Sequence, residues 1–204
     1  MVQELKWDKQ FDLDLDSSIF FWGSCFSENI SSMLSQNGLS NWSNSHGVIF
    51  NPVSIADAIE DCCTKNFPID FEKDKDVYFH YKFNGTFNAL SKEEIEENTR
   101  FSIEEFHNQL NKANKPTVFI TLGSAWVYEL IETSQVVANC HKQSSKQFNK
   151  RLLTFLEITK AFERIRSNLH SVNESIEIHF TISPVRHKKD GWIENNWSKS
   201  SLNL

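Results

Sequence analysis

Two short stretches of the chain carry side chains able to do chemistry. Gly23-Ser24-Cys25 sets a hydroxyl and a thiol side by side, after the apolar run Ile19 to Trp22 and before a helical pattern. In that pattern Phe26, Ile30, Met33 and Leu34 recur at helical spacing until Asn37-Gly38 ends it. A strand turning into a helix presents the turn at the strand's carboxyl end, beside helix N–H groups that favour negative charge. Ser24 and Cys25 are both able to act as nucleophiles, and the free helix N–H groups beside them can hold an anion. The second stretch is Asn139-Cys140-His141-Lys142, which follows the apolar run Gln135 to Ala138. Adjacent Cys140 and His141 do not make a dyad by themselves, because consecutive side chains of an extended segment point to opposite faces. Asn139 and His141 are taken as the pair facing the crevice. No Cys-x-x-Cys or His-x-x-x-His spacing accompanies them, so no metal site is expected, and no Walker or dinucleotide pattern calls for a cofactor.

The elements that must position these groups alternate between strand and helix. Gly47 to Phe50 reads as a second short strand, and Asn51-Pro52 as a helix start, with Asn51 either a cap or a polar group of the crevice. Ile55, Ala58, Ile59 and Cys62 share one face of that helix. Val77 to Phe83 has β composition and fits a hairpin or an excursion over the sheet's rim. Ser91-Lys-Glu-Glu94 is a capping-box pattern opening an acidic helix, and a further helix is read from Ser102 to Leu110. Thr117 to Leu122 is the clearest buried strand, ending in Gly123-Ser124, whose N–H and Oγ are candidate oxyanion donors. Thr154 to Glu157 is a second capping box. Glu174 to Ile182 is a last strand, and Arg186 and His187 follow its carboxyl end as candidate rim residues. The pattern predicts a three-layer α/β/α fold around a mostly parallel sheet, in one domain over residues 1–204.

Several segments together resemble one family. Gly23-Ser24-Cys25-Phe26 resembles the signature that names the GSCFA family, with Ser27 where the name has alanine. Gly47-x-x-Phe50-Asn51-Pro52, Thr121-Leu-Gly-Ser-Ala-Trp126, Asn139-Cys-His-Lys142, Ser183-Pro184 and Asn195 to Lys199 resemble its further blocks. The family is grouped with the SGNH (GDSL-like) hydrolases. That grouping implies an ester hydrolase or acyl transferase, with an acylated carbohydrate among the candidate substrates. Setting Gly-Ser-Cys over Gly-Asp-Ser puts Cys25 in the nucleophile's place and Ser24 in the aspartate's. Gly23, Gly123, Ser124, Asn51 and Asn139 would then supply binding and oxyanion contacts. The Asn of the Gly-x-Asn-Asp block is replaced here, and the Asp-x-x-His of SGNH enzymes has no counterpart before Leu204. The domain is therefore expected to be incomplete at its C-terminus, with His141 as the local substitute base. The rival reading is a non-catalytic domain that holds a glycan or acyl ligand.

Bulk properties narrow the classes. Over 204 residues, 39% are hydrophobic and 24% charged, with 17 Phe and 6 Trp to fill a core. The formal charge of −6 argues against nucleic-acid or anionic-membrane partners. No run reaches membrane-span length, and the N-terminus lacks the order of a signal peptide. Four cysteines, two of them adjacent, do not look like a disulfide framework, so a cytoplasmic setting is expected.

Overall fold

The structure, a computed structural model, describes residues 17–185 and 191–203. Four parallel strands form its central sheet: β1 (Ile19–Gly23), β2 (Asn41–Ser43), β5 (Thr117–Leu122) and β9 (Glu177–Ile182), in the order β2-β1-β5-β9. Each parallel step needs a crossover, and helices supply it. These are α1 (Cys25–Gln36), α2 (Pro52–Thr64), α3 (Lys92–Lys112), α4 (Phe155–Val172) and α5 (Trp192–Leu202). Side chains alternate across the sheet, so Phe20 and Trp22 of β1 share a face with Val118, Ile120 and Leu122 of β5. That face carries the core with α2, α3 and α4, and Phe106 packs on both Trp22 (3.9 Å between centroids) and Phe20 (5.3 Å). Burying a side chain such as Phe20 completely contributes roughly 1.5–3 kcal/mol. On the opposite face Phe21, Phe119 and His179 stack in a row, and α1 lies against β1 and β5. The result is a three-layer α/β/α arrangement.

Two smaller sheets stand outside this frame. β3 (Glu72–Asp74) and β4 (Val77–Phe79) form an antiparallel hairpin. β6 (Trp126–Leu130) pairs on one side with β7 (Val136–Val137) and on the other with β8 (Phe148–Leu152).

Three elements differ from the sequence expectation. Gly47 to Phe50 is not a strand. It crosses the carboxyl ends of β1 and β5, where Ile49 N–H donates to the Gly23 carbonyl and the Phe50 carbonyl accepts from Gly123 and Ser124. Residues 92–112 form one helix rather than two, since no Gly or Pro interrupts them and Ser102 Oγ donates to the Ser45 carbonyl instead of capping a second start. The last described helix, whose beginning the sequence pattern places at Ser198, starts at Trp192.

α4 opens with the expected box. Thr154 Oγ1 accepts the Glu157 N–H, and the Glu157 carboxylate takes both the N–H and the hydroxyl of Thr154. Arg151 bonds the same carboxylate and, with these contacts, holds Glu157 down at about 2. Thr154→Ala is expected to cost about 1 kcal/mol, read as a lower urea midpoint at unchanged slope. An unmoved midpoint would mean that Arg151 and Glu157 hold the helix start unaided.

Candidate functional site

The first strand ends against its neighbour. Gly23 has φ +125, and its N–H is held by Asn44 Oδ1 at 2.9 Å. Ser24 N–H donates to the Thr121 carbonyl at 3.1 Å, which ties the turn to β5. Ser24 is the N-cap of α1: its Oγ accepts from Phe26 N–H, and only 1% of the residue is exposed. Cys25, the first residue of α1, is exposed. Of the two candidate nucleophiles, the thiol faces solvent and the hydroxyl serves the helix. Behind them α1 buries only Ser27 and Ser31, small residues that let the helix approach β1 and β2; Ser27 Oγ donates to the Trp22 carbonyl.

The end of β5 is arranged differently from the sequence expectation. Gly123 N–H (2.8 Å) and Ser124 N–H (2.9 Å) both donate to the Phe50 carbonyl, so the Gly123 donor is already spent. Ser124 Oγ accepts Trp126 N–H and lies 3.3 Å from Ser198 Oγ, buried under α5. Asn51 caps α2 with both ends of its amide: Oδ1 takes Ser54 N–H and Nδ2 donates to Ser54 Oγ. Its side chain is turned to the helix, while the carbonyl of its neighbour Phe50 braces the β5 turn.

α5 closes this end of the sheet. Lys199 Nζ donates to the Gly123 carbonyl (2.6 Å) and the Ser183 carbonyl (2.8 Å), just beyond the ends of β5 and β9. Burial lowers its pKa from the usual lysine value. Ser198 Oγ accepts Ala125 N–H at 2.7 Å. The sequence marks Asn195 to Lys199 only as a family-like block and gives neither Ser198 nor Lys199 a role at the site. The available signal was the buried spacing Asn195, Ser198, Leu202, which marks a polar inner face on this helix.

The Asn139–His141 stretch lies elsewhere. Asn139 Oδ1 accepts His141 N–H at 2.7 Å in a local turn that sets His141 at φ +47. The His141 ring stacks on Phe79 (4.6 Å), and its Nε2 meets the His80 carbonyl at 3.1 Å. Burial lowers its pKa, partly offset by backbone hydrogen bonding. Asn139 N–H faces the Tyr81 carbonyl at 3.4 Å, and burial pushes the Cys140 thiol up to about 11. The β6–β7–β8 sheet therefore delivers this stretch to the segment after β4. No described histidine touches Ser24 or Cys25. Next to His80 is a buried polar cluster: Lys82 Nζ grips both oxygens of Asp61 (2.8 and 2.9 Å), and His46 Nε2 stands 3.4 Å from Asp61 Oδ2. Arg186 and His187 lie outside the described residues.

The geometry thus brings Gly23, Ser24 and Cys25 beside Gly123 and Ser124, and leaves Asn139 and His141 on another surface. Comparison with curated proteins and with solved structures returns no match. A model of the GSCFA family matches residues 18–204, and the chain belongs to that family.

Proposed function

We propose that the chain is the SGNH-type acyl-transfer domain its sequence resembles, cleaving an ester with Cys25 as the nucleophile. The observation that supports this best is the exposure of Cys25 at the first position of α1, beside the carboxyl end of a parallel sheet. Sγ would attack the ester carbonyl, its proton passing to water. The intermediate would expel the alcohol, protonated in turn from water, and leave a thioester on Cys25. A water molecule would hydrolyse that thioester to the acid and restore the thiol. A small ester or an acylated glycan is the proposed substrate class, and a reducing compartment would keep the thiol free. Among the described residues no helix is long and apolar enough to cross a membrane.

Turnover of p-nitrophenyl acetate tests the assignment. Cys25→Ala is expected to reduce kcat on the order of 10³-fold or more with the fold intact. Ser24→Ala should retain turnover and lose about 1 kcal/mol of stability through the missing cap. Unchanged hydrolysis by Cys25→Ala would sink the assignment.

One observation favours a second reading, a non-catalytic domain for a glycan or acyl ligand. Trp192 and Trp197 are 67% and 57% exposed on α5, the helix that closes the end of the sheet, and no described histidine reaches Cys25. Saturable quenching of tryptophan fluorescence by acylated oligosaccharides, without turnover, would select it.

A further inference from the structure

The loop after β2 holds a polar side chain that the fold does not pair. Phe21 stands opposite Ser43 in the parallel register, and Asn44 extends that ladder by donating its N–H to the Phe21 carbonyl at 2.9 Å. The next rung of a parallel ladder would join Gly23 N–H to the Asn44 carbonyl. Asn44 has φ +48 instead, and its carbonyl accepts Gly47 N–H at 2.7 Å. The side chain fills the rung, with Oδ1 taking the Gly23 N–H at 2.9 Å. Only an oxygen can accept there, so the other amide atom is the NH2. Cβ ties the amide back to the main chain. Nδ2, on the same amide, therefore lies beside the Gly23 turn that leads into Ser24 and Cys25. Asn44 is 6% exposed, and Nδ2 has no hydrogen-bond partner among the described residues. Native structures seldom leave a buried donor unpaired, and such a group asks for an acceptor.

We propose that Asn44 Nδ2 is an oxyanion donor of the acyl-transfer site, acting beside the N–H of Cys25; this rests on the ester-cleaving reading above. Cys25 opens α1, so its N–H has no carbonyl a turn back within the helix. Of the donors that β5 was expected to offer, the Gly123 N–H is consumed by the Phe50 carbonyl and Ser124 Oγ is buried against Ser198. An amide from the opposite flank of β1 takes over the duty that SGNH enzymes give to an asparagine after this strand. As the S–C bond forms, the carbonyl π pair moves onto oxygen, and Nδ2 donates to that oxygen while keeping its proton.

The test uses the 204-residue chain and 1,1,1-trifluoroacetone, whose carbonyl adds a thiol reversibly and leaves an oxyanion. ¹⁹F spectra should show an adduct that Cys25→Ala abolishes, and ¹H–¹⁵N spectra should show the Asn44 NH2 pair moving with it. Asn44→Asp keeps the acceptor for Gly23 and loses the donor. It should weaken the adduct at least 10-fold while iodoacetamide still alkylates Cys25. An adduct on Cys25 with Asn44 unmoved, or equally tight in Asn44→Asp, overturns the inference and leaves the ester-cleaving reading standing. No adduct and no ester turnover in the wild type removes both. The wild-type spectra decide even where Asn44→Asp fails to fold.

Discussion

Gly23→Ala is expected to cost the fold at least about 3 kcal/mol and to remove any activity housed at the turn after β1. Gly23 has φ +125, a conformation that costs a residue with a Cβ of order 1–3 kcal/mol by itself. The added carbon would also stand 2.0 Å from the Thr121 carbonyl oxygen, which is main chain of the neighbouring central strand and cannot rotate away. Relief requires β1 to separate from β5 at its carboxyl end, which breaks the Ser24 N–H to Thr121 bond and shifts Ser24, Cys25 and the Asn44 contact together. For a domain of this size each kcal/mol moves the melting temperature by roughly 2–4 °C, so a fall of about 6–12 °C or more is expected. Gly38→Ala is the control. It also has positive φ (+79), but nothing lies within 4 Å of its Cβ position, so it carries only the backbone strain, about 1 kcal/mol. Equal melting shifts for the two variants would show that the close approach of β1 to β5 is not what requires glycine.

The same turn shows how far sequence carries. Ile19 to Trp22 followed by Gly23 and a helical pattern was legible because strand, breaker and helix are all local signals, and β1 and α1 stand where those signals place them. Thr117 to Leu122 was legible for the same reason. Trp126 to Leu130 and Phe148 to Leu152 were not read as strands. Their pairing spans some twenty residues, and Phe-Asn-Lys-Arg-Leu has little apolar character to announce it. Once that sheet is missed, His141 cannot be placed, because the sheet delivers it to Phe79 and His80 rather than to Cys25. The Gly123 donor failed for a related reason. A glycine after a strand advertises a free N–H, yet whether the N–H is free depends on which loop crosses above it, here Phe50. Asn44 was invisible as well, since its value comes from replacing a main-chain rung. No pattern of residue types encodes that.

Acidification should destabilise the chain well before its carboxylates are protonated, and His80 should account for much of the loss. Burial, with Lys82 close by, lowers the His80 pKa from 6.5 to about 4. His46 is lowered by burial against a raising contribution from Asp61, and His141 by burial against backbone hydrogen bonds. A histidine whose folded pKa lies below its unfolded value is bound to fewer protons in the native state. Its stabilisation is complete above about 6.5 and drains away as pH falls toward the folded pKa. For His80 the window runs from 6.5 to about 4, worth roughly 2–3 kcal/mol between pH 7 and pH 4.5, with His46 and His141 adding in the same direction. Asp61 acts in a lower window. Burial raises its pKa, but His46 and Lys82 more than offset that, so its stabilisation is present above the ordinary carboxylate range and is lost only below it. The geometry identifies the atom concerned: Lys82 N–H donates to His80 Nδ1 at 3.2 Å, so protonating that nitrogen destroys its acceptor. His80→Asn offers an amide oxygen in nearly the same place and takes up no proton. Urea denaturation at half-unit steps of pH should therefore give a wild-type curve that falls about 2–3 kcal/mol further than the His80→Asn curve by pH 4.5. The two should converge in slope above pH 7. Parallel curves would mean that the uptake belongs to His46 and His141, the histidines beside Asp61 and Phe79, and that His80 titrates as it does in the unfolded chain.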